Sequence, residues 1–136
     1  MNHSIYITEP DFIRLREALS KMSLSASVNY VAESLRNTLH SAKRVPPENM
    51  LPDVVTMNTE VELMDLSNNR SLNITVTYPD NVDLAKRKIS VLTPAGEAIF
   101  AKKVGEKVQW LTPTGLKIFR LEKINYQPES AGDFHL

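Results

Sequence analysis

The stretch from Ile89 to Trp110, ISVLTPAGEAIFAKKVGEKVQW, imposes three changes of backbone state in quick succession. Ile89, Val91 and Leu92 are apolar and mostly β-branched, which suits a buried strand, and Thr93-Pro94-Ala95-Gly96 stops it. Pro94 fixes its own φ and lacks an N–H that would have no partner in a first helical turn, so a short helix opens there. Ala95, Ala98, Ile99 and Lys102 then recur at spacings of three and four, giving one small, apolar face to lay on a sheet. Gly105 supplies a turn, and Val108 and Trp110 resume a period of two. Strand, helix and strand must all fit within this run.

The N-terminal part has a different period. Thr8 is a good N-cap, with Glu9, Pro10 and Asp11 in a first turn that favours acidic groups and proline. Helix 1 is expected to run to about Lys21, with a stripe of Phe12, Leu15, Leu19 and Met22. Ser23-Leu24-Ser25-Ala26-Ser27 breaks the pattern with residues that favour caps and turns. A second helix, from about Ser27 to Arg44, follows with Val28, Val31, Leu35, Leu39 and Ala42 on its seam and His40, Lys43 and Arg44 near its last carbonyls. Helices joined so briefly should form an antiparallel hairpin of coiled-coil type with its tip at Ser23, Leu24 and Ser25. Two narrow stripes bury only a thin seam, so the hairpin needs a further surface to lean on. The prolines of Val45 to Pro52 forbid a regular helix and predict a stiff extended connector, placing a domain boundary between residues 1–51 and 52–136.

Beyond the connector the period is two. Val54 to Met57 reads as a short strand, and Val61 with Leu63 starts another that turns at Ser67-Asn68-Asn69, where asparagine tolerates the left-handed conformation. Leu72, Ile74, Val76 and Tyr78 alternate with Asn73, Thr75 and Thr77, as in an antiparallel strand with one wet face. Thr112-Pro113-Thr114-Gly115 is a further turn. In the last strand, Leu116 to Tyr126, the apolar positions shift from Leu116 and Ile118 to Phe119 and Leu121 and on to Ile124 and Tyr126, which predicts a bulge. The expected fold is α+β: a helical hairpin, then five or six mostly antiparallel strands carrying one short helix.

Chemistry is sparse. Without cysteine there is no disulfide or thiolate metal site, as suits a reducing compartment, and His3, His40 and His135 have no ligand spacing. The four glycines build neither a phosphate loop nor a dinucleotide fingerprint, and no nucleophile elbow occurs. No catalytic, cofactor-binding or metal-ligating residue is expected. The 16 basic and 16 acidic residues cancel, and a cut after Leu51 leaves 6 basic and 5 acidic residues before it, so neither half is polarised. That balance favours a protein partner over bare nucleic acid or anionic lipid. Lys86-Arg87-Lys88 and Lys102-Lys103 with Lys107 read as solvated positions rather than phosphate contacts, and Phe12, Tyr30, Tyr78, Phe100, Trp110, Phe119 and Tyr126 as core packing. No run is long enough to span a membrane and no leader is evident, so a cytoplasmic monomer is expected.

Three runs carry a resemblance: Pro52-Asp53-Val54-Val55-Thr56-Met57-Asn58, the Thr-Pro-Ala-Gly loop with its helix and Val104-Gly105, and the tail Tyr126 to Asp133. They are similar to the regulators of nucleoside diphosphate kinase (Rnk) and, through them, to the GreA/GreB transcript-cleavage factors. The resemblance implies an FKBP-like C-terminal domain behind a short coiled coil, and RNA polymerase as partner, gripped at the rim of its secondary channel. It also implies that Thr93, Pro94, Ala95 and Gly96, similar to the family's Ser-Pro-x-Gly loop, belong to the docking surface. Gre factors carry acidic residues at the tip of a long coiled coil, where they help hold a catalytic magnesium and water. This chain has no Asp or Glu from Lys21 to Ser27, and serine hydroxyls are poor magnesium ligands. The expectation is a non-catalytic factor that competes with Gre-type proteins and influences nucleoside diphosphate kinase levels. The alternatives are a peptidyl-prolyl isomerase, on fold analogy, and a regulator that binds the kinase itself.

Overall fold

The structure, a computed structural model, describes residues 4–21, 29–134 and 136. Strand β1 (Tyr6–Thr8) runs directly into helix α1 (Glu9–Ser20), capped as expected by the Thr8 hydroxyl, which accepts the Asp11 N–H at 3.2 Å. Helix α2 (Asn29–Ser41) stops short of the expected end, because Lys43–Val45 form strand β2, paired parallel to β1. The Lys43 N–H goes to the Ile5 carbonyl at 2.7 Å. No local period reveals a strand of this length whose partner is distant in sequence.

The connector is extended apart from a 3-10 turn at Pro47–Asn49, and it buries Met50. Val54–Met57 is a correction to the expected strand. All four residues are buried, yet only Val54 makes a sheet-like bridge, to Lys103, while Val55 exchanges hydrogen bonds with Ala101 and Lys102. An apolar, β-branched run records burial, and here that burial is met by pairing with an irregular segment.

The main sheet comprises β3 (Thr59–Asp65), β4 (Arg70–Thr77), β5 (Lys88–Ser90), β6 (Lys107–Thr112) and β7 (Gly115–Tyr126), in the order β5-β4-β3-β7-β6. Only the β4–β5 pair is parallel, so the sheet is mostly antiparallel. Two short helices, not one, accompany it: α3 (Pro94–Ile99) and α4 (Pro128–Ala131). Pro128 in the first turn and Gly132 at φ 80° form the proline-start, glycine-stop pattern of a single helical turn.

Central β3 alternates strictly, with Thr59, Val61, Leu63 and Asp65 on the buried face. Against that face lie Leu15 and Leu19 of α1, Leu35 and Leu39 of α2, and Ile99 of α3, in one apolar core with Val76 and Leu121. The helices thus bury their stripes on the sheet, each large side chain contributing about 1.5–3 kcal/mol, so the arm needs no long seam of its own. The opposite face is wet, with Asn125 donating to Glu60 and Asn73.

The bulging of β7 falls between Leu121 and Tyr126, at the second of the two shifts in its apolar pattern and not at the first. Its pairing with β6 is unbroken, and both register shifts occur against β3, beside Glu60/Val61 and Glu62/Leu63. Leu116 and Ile118 accordingly point to the exposed face, with no bulge to turn them inward. Among the described residues no helix is long and apolar enough to cross a membrane.

Candidate functional site

The loop that joins β5 to α3 is built by its own hydroxyls. The Ser90 Oγ accepts the Leu92 N–H at 3.0 Å, while the Ser90 carbonyl accepts both the Thr93 N–H at 3.1 Å and the Thr93 hydroxyl at 2.7 Å. Thr93 is then the N-cap of α3, its Oγ1 accepting the Gly96 N–H at 3.1 Å. This network folds the helix start back onto the strand end. A Cβ on Gly96 would lie 2.1 Å from the Ser90 carbonyl oxygen and 2.9 Å from the Val91 Cα, so the contact admits glycine alone. Pro94 and Ala95, between cap and contact, remain partly exposed.

Beside Pro94 and Ala95 opens a groove of about 360 Å³, walled by Ile89, Trp110 and Pro113, with Leu84 and Leu111 at its mouth. Trp110 is held in place by stacking on Phe119, ring centroids 4.4 Å apart and planes 8° from parallel. Leu84 and Leu111 are 75% and 68% exposed, far more than an ordinary folded leucine needs to be. The groove was not visible in the sequence because its walls come from β5, α3 and the β6–β7 turn.

A second constellation fixes the helical arm. Asp11, expected only as a favourable first-turn charge, is 2% exposed. Its Oδ2 accepts the Met57 N–H at 3.1 Å and its Oδ1 accepts the Tyr78 hydroxyl at 2.7 Å, tying α1 to the sheet. Burial pushes the Asp11 carboxyl above the usual carboxylate range, against the opposing pull of these hydrogen bonds and of Arg14. Burial, and next the Asp11 charge, likewise push the Tyr78 phenol up. Nearby, the Thr56 hydroxyl donates to Glu129 at 2.6 Å, and burial raises that carboxyl too. Asp11, Leu15 and Leu19 recur at intervals of four, a spacing that places the aspartate on the buried stripe. On the other helix the Ser34 hydroxyl donates to Glu97 of α3, so arm and loop are linked through α2.

The structure brings Thr93, Pro94, Ala95 and Gly96 together as one turn, while Ser23, Leu24 and Ser25 lie outside the described residues. Of the histidines, His40 ends α2 on the surface, and His3 and His135 lie outside the described residues. Tyr30, expected in the core, is 63% exposed, because it falls off the face carried by Val31, Leu35 and Leu39. Among the described residues no group of three His, Asp or Glu side chains is placed to hold a metal ion.

Residues 50–126 match the profile of the family described as transcription elongation factor GreA/GreB, C-terminal. The regulator of nucleoside diphosphate kinase of Escherichia coli K12 is 36% identical over 110 residues, covering 78% of this chain and 79% of that protein. The transcription elongation factor GreA of Syntrophotalea carbinolica is 25% identical over 139 residues, covering 93% and 88%. Among solved structures, a prokaryotic transcription elongation factor GreA/GreB from Nitrosomonas europaea superposes with a TM-score of 0.79 at 31% identity, covering 92% of this chain and 100% of that one.

Proposed function

Since the chain belongs to the GreA/GreB family of transcription elongation factors, we propose that it is a non-catalytic accessory factor of RNA polymerase, docked through Thr93–Gly96 at the secondary-channel rim. In this reading residues 52–136 are the FKBP-like docking body and residues 1–51 a coiled-coil arm. The observation that carries it is the loop itself: a turn fixed by the Thr93 cap and the Gly96 contact, presenting Pro94 and Ala95 beside an open apolar groove. A rigid turn loses little conformational freedom on binding, which favours its use as a docking element.

The arm argues against assistance in catalysis. Helix α1 has 12 residues, about 18 Å at 1.5 Å per residue. From Lys21 to Ser27 there is no carboxylate, and the flanking ones are Glu17 and Glu33. A short arm with no oxygen anion at its end occupies the channel without supplying a ligand for magnesium. Competition with Gre-type factors for one rim is then the route to altered gene expression, including that of nucleoside diphosphate kinase.

The test is capture of core RNA polymerase and its displacement by GreA or GreB. The wild-type chain should bind at micromolar concentration, and Pro94→Asp with Ala95→Asp should weaken capture at least tenfold while the melting temperature is retained. Absence of wild-type binding, or stimulation of transcript cleavage, would remove the reading.

A further inference from the structure

Two lysines far apart in sequence meet at one aromatic ring. Parallel pairing of β1 with β2 sets Lys43 beside Tyr6, and the Lys43 ammonium lies 5.9 Å from the centre of the Tyr6 ring. The Lys103 ammonium lies 5.6 Å from the same centre. A ring attracts a cation at this range, which keeps a flexible lysine side chain in place.

Lys103 also lines a hollow of about 530 Å³ between the start of β1 and the chain leaving α3, together with Lys102 and the hydroxyl-bearing Ser4 and Thr38. Ala101 turns the wall of this hollow at φ 68°, a conformation disfavoured once a Cβ is present. Val55 holds the turn, its carbonyl accepting the Ala101 N–H at 3.0 Å and its N–H donating to the Lys102 carbonyl at 2.9 Å. One lining residue has the opposite sign, Glu106, and its Oε2 is engaged by the Lys103 N–H at 2.6 Å. Among the described residues the ion pairs are Arg44–Glu9, Lys117–Asp65 and Arg120–Glu122, so Lys43, Lys102 and Lys103 have no carboxylate partner. Three lysines to one occupied carboxylate is a local surplus in a neutral chain.

We propose that this corner binds a small oligophosphate anion, its charges shared between Lys43 and Lys103 across Tyr6 and the rest of the molecule seated in the hollow. An ammonium is a point charge that takes phosphate oxygens from any direction. A lone carboxylate neutralises one ammonium, whereas a chain of phosphates reaches both. The ring, already occupied by two cations, is no platform for a base, and three lysines track no polymer backbone, which disfavours nucleic acid. The volume of the hollow is ordinary for a small-ligand site. The corner shares no residue with the Thr93–Gly96 turn, so anion binding and polymerase docking stand or fall separately.

The probe is sodium tripolyphosphate, titrated calorimetrically into the full chain with magnesium removed and ionic strength held fixed. It should bind at least tenfold tighter than sulfate. Lys43→Gln with Lys103→Gln should weaken it at least tenfold, and Tyr6→Leu, which keeps both lysines but removes the ring, about threefold. Lys86→Gln with Arg87→Gln, which removes the same charge elsewhere on the surface, should change nothing. Every one of these side chains is exposed or partly exposed, so the melting temperatures should be retained. A nucleoside triphosphate binding more tightly than tripolyphosphate would assign the hollow to the nucleoside, and equal affinity would assign the site to the phosphates alone; either outcome supports the proposal. Tripolyphosphate no tighter than sulfate, or equal losses in the two double variants, would overturn it by reducing the effect to bulk charge. A single-stranded oligonucleotide that binds more tightly than tripolyphosphate at matched phosphate concentration would overturn it in favour of nucleic acid.

Discussion

Replacing Asp11 with alanine is expected to lower the unfolding free energy by about 2–4 kcal/mol at neutral pH, because a buried donor and a half-buried one lose their acceptor. The Met57 N–H and the Tyr78 hydroxyl both end on this carboxylate, the first fully buried and the second half-buried. Against a total stability of about 5–15 kcal/mol for a domain, the loss should be plain as a shifted midpoint in urea followed by circular dichroism. A change below about 0.5 kcal/mol would mean that the joint between arm and sheet is held by the leucines alone.

The same residue predicts a pH dependence of definite sign. Its folded pKa is raised above the ordinary value of 3.8, so the native state holds that proton more tightly than the unfolded chain. The corresponding stability is complete below about pH 4 and is lost as pH rises through the elevated folded value. Glu129 is shifted in the same direction, whereas Asp65 and Glu122 are lowered, mainly by hydrogen bonds from Ser67 and Arg120, and act with the opposite sign. The wild-type curve therefore mixes these terms. The difference between wild type and Asp11→Asn isolates one of them: wild type should lose ground to the variant as pH rises from 4 toward neutrality. A flat or rising difference would show that the hydrogen bonds outweigh burial.

The second large effect concerns Gly96→Ala, for which a loss of about 3 kcal/mol is expected, at the upper end of overpacking penalties. The new methyl would sit 2.1 Å from the Ser90 carbonyl oxygen, a backbone atom that cannot rotate aside. Relief requires α3 to lift from the end of β5, which breaks the Thr93 cap and moves Pro94 and Ala95 together. Gly105→Ala is the contrast. That glycine has φ 97° but nothing within 4 Å, so its cost is backbone strain alone, about 1 kcal/mol. Thermal melts of the two variants should separate clearly, with weakened polymerase capture confined to Gly96→Ala. Similar melts would indicate that the loop adjusts more freely than its hydrogen bonds imply.

Much of the architecture follows from local rules. The Thr8 and Thr93 caps, the proline starts of α1 and α3, the Asn68-Asn69 turn and the alternation through β4 each depend on neighbours within a few residues, and each is where the sequence reading places it. Short-range sterics and hydrogen bonding decide such features, and they are carried by residue type. The readings that changed share another cause. Val54–Met57 has the composition of a strand but pairs outside the ladder, Lys43–Val45 leaves a helix for a partner near the N-terminus, and Leu116 and Ile118 face solvent despite their hydrophobicity.

The site divides along the same line. Spacing and residue type alone determined that Thr93-Pro94-Ala95-Gly96 would be a strand-to-helix turn, and that the stretch from Lys21 to Ser27 would carry no negative charge. Only the tertiary structure decided that Asp11 is buried against Tyr78, that Gly96 presses on the Ser90 carbonyl, and that Leu84, Trp110 and Leu111 border one groove beside that turn. The physical reason is range: caps and turns are settled by atoms a few bonds apart, whereas burial and grooves are set by which distant segments the core draws together.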